Sequence, residues 1–270
     1  RPRTINRSRT CVLVHAPKLG RWVARAMIGI TRNATVAWTE PVQRLRDRLG
    51  VPRGGHPMFE GLFSPHLTLA LFSRVLGRPQ PDWPRNVETT GFVFYNGPDA
   101  LEPKLEAFLA AGAPPVVFTL GTSAVGAAGR FYDESAAAAQ RLGLRAVLLT
   151  GGFAQNIPRG PLSSDVLLVD RAPHQLLFPR ASAVVHQGGV GTTGQALRAG
   201  HPTIVVPHGH DQPDNAYRVR KLGVSRTIYP QHYDAVRAAR ELERLLRDDY
   251  RERAASTAAV VRQEDGAAAA

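Results

Sequence analysis

The sequence predicts an α/β fold whose larger part is a doubly wound parallel sheet. Two observations carry that prediction. From Val116 onward, short β-branched apolar runs alternate with helix-prone segments, the texture of strand–helix–strand crossovers. Residues 186–215 then condense the pattern into one unit. A buried-strand run (181–185) leads into a glycine cluster. Residues 195–199 are helix-prone and stopped by Gly200, and 203–206 form a second strand ending at Pro207. In a parallel sheet such a glycine turn lies at the carboxyl edge, where open α/β sheets take their ligands.

The elements follow in order. Residues 11–15 are strand-like, 22–30 are helical, and 42–49 have helical periodicity up to Gly50. A Pro- and Gly-rich loop fills 51–65, and 67–72 read as a strand. Pro79, Pro81 and Pro84 mark an extended connector. A short strand is expected over 91–95, broken by residues 96–98. A helix over 102–111 ends at residues 112–115. The change of texture here separates two domains, drawn as 1–96 and 97–270. In the second, 116–120 is a buried strand, Gly121-Thr122-Ser123 a turn, and 133–142 a helix. Strands follow over 146–149 and 166–169, then a helical turn over 173–178. Beyond the central unit come a helix (213–222) closed by Gly223, a strand (226–229) and a helix (236–246). Residues 250–263 are helix-prone, and the closing alanines carry no signal.

Composition narrows the class. At 43% hydrophobic and 21% charged residues the chain is an ordinary globular one, with no apolar run long enough to span a bilayer. Nothing at its start reads as a cleaved signal, and Cys11 is the sole cysteine, so a reducing, cytoplasmic compartment is expected. The net charge is +12, and residues 1–50 hold eleven Lys or Arg against Glu40 and Asp47. Such a face suits a peripheral contact with an anionic membrane. It lacks the interleaved aromatics and motifs of a nucleic-acid site, so no nucleic-acid partner is expected. An arginine-rich composition, of the kind GC-rich bacterial genes encode, would account for most of the excess. The chain opens on Arg1 rather than Met, as a portion of a longer protein would.

The chemistry of the central turn points to phosphate. Glycines let the backbone approach a ligand, and the first N–H groups of the following helix face an anion. Thr192 and Thr193 add hydroxyl donors, and His186 adds an imidazole at the strand end. Gly121-Thr122-Ser123 follows its own strand in the same way, so in one sheet both turns open on one edge and can grip a diphosphate from two sides. Arg171, just past the strand at 166–169, can lay a flat guanidinium over a base. Asp211 and Gln212 open a helix at Pro213 and suit vicinal hydroxyls of a sugar. Three other readings are weaker. Residues 189–194 spell G-x-G-x-x-G, but far from the first βαβ unit and without an acid at the next strand tip, as a nicotinamide dinucleotide site requires. His208, His210 and Asp211 lack further ligands with metal-site spacing. Residues 121–126 miss the serine-hydrolase elbow by one glycine position.

From Pro173-His174 to Asn215 the text A-P-H-Q-L-L-F-P-R-A-S-A-V-V-H-Q-G-G-V-G-T-T-G-Q-A-L-R-A-G-H-P, followed by V-V-P-H-G-H-D-Q-P-D-N-A, resembles the nucleotide-sugar signature of family 1 GT-B glycosyltransferases. These form the UDP-glycosyltransferase superfamily, and the resemblance is to its bacterial branch of antibiotic, sterol-type and rhamnolipid-type enzymes. It covers roughly residues 60 to 265. It implies a GT-B type fold, with a Rossmann-like donor domain at 97–270 and the tail of an acceptor domain at 1–96. It implies transfer of a hexose from a UDP- or dTDP-sugar to a hydroxyl of a small-molecule or lipid acceptor, with inversion and without a metal or other cofactor. His186, Gly189, Gly191, Thr192 and Thr193 would hold the diphosphate, with Thr122 and Ser123 opposite. Arg171 stands where plant members carry a tryptophan over the base. Ala172 would meet the base through its backbone, and His174 belongs to the same donor set. Gln195 replaces a ribose-binding glutamate, and Asp211 and Gln212 would hold the sugar. The family's catalytic histidine would lie upstream of Arg1. His15 does not sit in the family's opening motif, so the catalytic base is unassigned. The chain also stops short of the terminal helix that crosses back in relatives. Two alternatives stand beside this reading: a nicotinamide-dependent oxidoreductase, and a sugar-nucleotide binding module without catalytic parts.

Overall fold

The computed structural model describes residues 21–60, 63–81, 83–97 and 100–270, without the side chains of Arg21, Ala24, Ser123 and Asp248. The strand expected over residues 11–15 lies outside the described residues. The chain divides into two compact units, Arg1–Thr68 with Asp82–Glu88, and Leu69–Pro81 with Thr89–Ala270.

In the first unit, helices α1 (Arg21–Thr35) and α2 (Glu40–Arg48) occupy the two segments expected to be helical. Pro41 stands in the first turn of α2, where its missing N–H costs nothing. The loop after α2 is tied back by side chains. The Gln43 carboxamide donates to Gly54 O (2.9 Å) and accepts from Gly54 N (3.1 Å). The Thr35 hydroxyl lies 2.9 Å from Nε2 of buried His56. Two three-residue strands, β1 (Thr68–Ala70) and β2 (Val87–Thr89), make a small sheet of their own.

The second unit begins its α/β alternation with α3 (Pro103–Ala110) and β3 (Val116–Thr119). There follow α4 (Gly121–Ala124), α5 (Phe131–Arg141), β4 (Ala146–Leu149), β5 (Val166–Val169) and α6 (His174–Leu177). Next come β6 (Ala183–His186), α7 (Val190–Ala199), β7 (Thr203–Val205), α8 (Gln212–Lys221) and β8 (Ser225–Thr227). Helices α9 (Ala235–Leu245), α10 (Asp248–Val261) and α11 (Gly266–Ala269) close the chain. The six strands are parallel, in the order β5-β4-β3-β6-β7-β8. The chain therefore winds outward from β3 to β5, returns, and winds the other way from β6 to β8. The switch point falls between the carboxyl ends of β3 and β6.

Burial on both faces explains why these strands read as continuous apolar runs. Alternate residues serve opposite layers. Val116, Phe118, Leu148 and Val185 pack with Phe131 and Tyr132 of α5 and Leu242 and Leu245 of α9. Val117, Val147, Leu167 and Val184 pack with Leu105 and Leu109 of α3 and with Ala196 and Ala199 of α7.

Three expectations change. Residues 91–95 are not a strand. Gly91 has φ +96°, and the carbonyls of Gly91 and Phe92 approach Gly266 so closely that an added Cβ there would sit 2.5 Å from Phe92 O. The segment is thus packed against the closing residues instead of a sheet edge, and those residues form α11, capped by Asp265 accepting from Ala268 N (3.0 Å). The glycine cluster, read as a turn up to Gln195, is helical from Val190, because only Gly188 needs a positive φ (+92°) and Gly191 and Gly194 are tolerated inside α7. Gly121-Thr122-Ser123 is likewise one turn of helix, entered through Gly121 at φ +58°.

Candidate functional site

Two cavities open at the carboxyl ends of the central strands. The larger, about 780 Å³, is bounded by Gly191, Thr192 and Gln195 of α7 and by the segment around Phe92–Tyr95. The smaller, about 320 Å³, is bounded by Gly121, Thr122, Gly151 and Asp170 at the ends of β3, β4 and β5. Arg171, Ala172 and His174 line both, so the segment after β5 is their common wall. Seven of the residues singled out from sequence thus meet here: Thr122, Arg171, Ala172, His174, Gly191, Thr192 and Gln195. The Ser123 side chain lies outside the described residues.

Helix α7 points its start into this region. Gly189 is its N-cap, in extended conformation (φ −61°, ψ 145°), with no side-chain cap. The Thr193 N–H bonds back to Gly189 O (2.9 Å). The other early N–H groups belong to the partial positive end of a ten-residue helix. Gly121 also enters a helix, but α4 is a single turn.

His186 and His174 are neutral at physiological pH. His186, 1% exposed at the end of β6, accepts the Gly188 N–H on Nδ1 (3.1 Å). That bond leaves its proton on Nε2. Burial, aided by repulsion from His174, holds its pKa down at about 3. His174 stacks on Phe178 (ring centroids 4.3 Å apart, 15° between planes), and burial lowers its pKa to about 4. Arg171, exposed at the rim, is the cationic side chain among the described residues lining the two cavities, which Glu102 and Asp170 also border.

Other singled-out residues lie off the two cavities. Thr193 is buried, and its hydroxyl has no partner among the described residues. Gln212, 2% exposed, uses its Oε1 to accept from His208 N (2.8 Å) and Gly209 N (3.2 Å), which fixes the loop before α8. Asp211 is exposed, and its carboxylate accepts from Asn215 Nδ2 (2.7 Å). His208 Nδ1 lies 2.8 Å from Val206 O. Among the described residues, no group of three or more His, Cys, Asp or Glu could hold a metal ion.

Two residues were not singled out from sequence. Asn215 Nδ2 also donates to Gly188 O (2.9 Å), which ties the β6–α7 turn to the first turn of α8. Gln187 is 4% exposed, and its Nε2 lies 3.4 Å from the Thr192 hydroxyl. A Cβ at Gly121 would stand 2.3 Å from that nitrogen, and one at Gly189 2.9 Å. The carboxamide thus lies between the two glycine turns. Its only sequence signal was its place beside His186.

Comparison with known proteins bears on the fold and the family. The family described as Erythromycin biosynthesis protein CIII-like, C-terminal domain, matches residues 154–268. O-mycaminosyltylonolide 6-deoxyallosyltransferase of Streptomyces fradiae is 39% identical over 199 residues, 70% of this chain and 44% of that protein. A crystal structure of the glycotransferase of kitacinnamycin aligns with TM-score 0.71 and 23% identity, covering 89% of this chain and 63% of that one. The spinosyn rhamnosyltransferase SpnG complexed with thymidine diphosphate aligns with TM-score 0.61 and 22% identity, over 77% and 56%. The chain spans less than half the length of the Streptomyces relative. With the parallel sheet, its switch point and the helix start at Gly189 in place, the fold is that of GT-B glycosyltransferases, and residues 154–268 carry the Erythromycin biosynthesis protein CIII-like C-terminal domain.

Proposed function

We infer that this chain carries the donor half of a hexosyltransferase that uses a UDP- or dTDP-sugar. The observation that carries the reading is the pair of glycine-headed helix starts at the switch point, Gly121–Thr122 and Gly191–Thr192. They border cavities that share Arg171, Ala172 and His174. The thymidine diphosphate bound by SpnG supports a nucleoside diphosphate as the ligand class.

In this reading the N–H groups at the start of α7, the Thr192 hydroxyl and the His186 Nε2–H face the diphosphate, while the Thr193 hydroxyl, expected there from the sequence, is buried behind them. Gly189 and Gly191 let the backbone come close, and Thr122 and Ser123 face it from the other turn. Arg171 covers the base, Ala172 meets its edge, His174 walls it and Gln195 meets the ribose. Asp211 takes hexose hydroxyls, in a loop whose shape Gln212 sets. The acceptor hydroxyl attacks the anomeric carbon on the face opposite the diphosphate. The bond to the β-phosphate oxygen breaks, configuration inverts, and the nucleoside diphosphate leaves. Donors already aimed at the diphosphate stabilise its growing charge, the kind of preorganisation that lowers such barriers most. The catalytic base is unassigned, and the family resemblance requires no metal. Residues 97–270 act as the donor domain, and 1–96 as the tail of an acceptor-binding domain for a small-molecule or lipid alcohol. The lone cysteine fits a bacterial cytoplasm, and the basic early residues fit transient contact with an anionic membrane face. Among the described residues, no helix is long and apolar enough to cross a membrane.

Calorimetric titration of the folded chain with UDP, dTDP and NAD tests the site, and a hexose-transfer assay on the same sample tests the chemistry. Binding of UDP or dTDP but not NAD is expected. NAD binding alone would move the chain to the oxidoreductases. Nucleotide binding without transfer, even in a longer chain that includes an acceptor domain, would leave a binding module.

A further inference from the structure

We propose that Gln187 is a donor-positioning residue at the junction of diphosphate and sugar, its Nε2–H given to a phosphoryl oxygen and its Oε1 taking a hydroxyl of the attached hexose. The inference rests on the donor-site reading above and assigns it one further residue.

Gln187 is nine-tenths buried, yet its carboxamide is poorly used. The Oε1 has no partner among the described residues, and Nε2 has one long contact, 3.4 Å to the Thr192 hydroxyl. A buried amide left half-satisfied is costly, and native proteins rarely keep one without a use. Its position names the use. The nitrogen lies beside Gly121 on one turn and Gly189 on the other, at the switch point. Gly121 combines a left-handed φ of +58° with the space for that nitrogen, so no L side chain fits there while the amide stays. A diphosphate offers acceptors only, so it can satisfy the N–H but not the carbonyl oxygen. A sugar hydroxyl offers the donor that Oε1 lacks. A carboxamide, one donor and one acceptor on the same head, matches the point where phosphate gives way to sugar.

The test compares wild type, Gln187→Glu and Gln187→Met, each checked for folding by circular dichroism and titrated with thymidine, dTDP and dTDP-glucose. Glu keeps an acceptor but removes the N–H and adds charge, and Met removes both groups at similar size. We expect dTDP affinity to fall about 10–100-fold in Gln187→Glu, the loss of a charge-assisted hydrogen bond plus repulsion. Thymidine affinity should stay within about twofold. In Gln187→Met, any gain of dTDP-glucose over dTDP seen in wild type should disappear. As a check independent of mutant folding, the wild-type Gln187 side-chain amide protons, followed by NMR, should shift on adding dTDP and not on adding thymidine. If wild type binds dTDP while both variants match it, or the amide signals do not move, the proposal is wrong and the donor site stands. If folded wild type binds neither dTDP nor dTDP-glucose, the donor-site reading itself fails.

Discussion

The two glycine turns at the switch point look alike as text but are built differently. After β3, Gly121 turns the chain through φ +58° into one turn of helix. After β6, Gly188 turns it through φ +92°, and a ten-residue helix follows from Val190. A helix dipole needs length, so only the second turn can present a sustained partial charge to an anion. The second is also tied on every side, by His186 Nδ1 to the Gly188 N–H and by Asn215 to the Gly188 carbonyl. The first turn has a different use, which is to leave room for Gln187. In the proposed donor site one turn would be the electrostatic half and the other would supply its shape.

Acid should probe the electrostatic half most strongly. His186 and His174 have folded pKa values of about 3 and about 4, below the unfolded value of about 6.5. The unfolded chain therefore binds protons that the folded chain refuses. Their contribution is full above pH 6.5 and is lost as pH falls toward 3 to 4, by up to about 1.4 kcal/mol per pH unit for each group. Denaturant unfolding between pH 7 and 4 should show that slope, and a folded His186→Gln variant should flatten it. An equal slope in the variant would detach His186 from the effect.

Gly188→Ala is the next largest. Its Cβ would stand 2.6 Å from Val205 Cγ1 and 3.2 Å from the Gln212 carbonyl, at a φ that L residues avoid. A loss of about 3 kcal/mol is expected in urea unfolding. Gly121→Ala meets only the flexible Gln187 amide, so about 1–2 kcal/mol is expected, with a larger proportional loss in nucleotide affinity. The reverse order of these two losses would contradict the division between the turns. Asn215→Ala should cost about 1–2 kcal/mol, through its bonds to Gly188 O and Asp211.

Gly191→Ala should have the smallest effect on folding. Nothing lies within 4 Å of its would-be Cβ, so the helix should gain about 0.5–1 kcal/mol. Because Gly191 borders the larger cavity, nucleotide affinity should fall all the same. A variant that is more stable and binds better would show that close backbone approach is not needed there.

Much of this fold was legible because its central strands are buried on both faces. Continuous runs such as Val116–Thr119 and Val166–Val169 then stand out from any amphipathic pattern. Residues 91–95 misled for the same reason. They are apolar and β-prone, but their backbone is engaged by Gly266, a partner far away in sequence. That residues just past strand ends (Thr122, Arg171, His174, Thr192) come together around the two cavities was legible, since strand ends meet at the carboxyl edge. The inward turn of Gln212 and the place of Gln187 were not. Each depends on a long-range partner, the loop at His208–Gly209 in one case and the missing Cβ of Gly121 in the other.

The most direct measurement is hydrogen exchange of the folded chain with and without saturating dTDP. Slower exchange at the amides of Gly121–Ala124 and of residues 188–193 together, with little change in α1 and α2, is the predicted result. Binding that protects other segments and leaves both turns unchanged would contradict the placement of the diphosphate at this switch point.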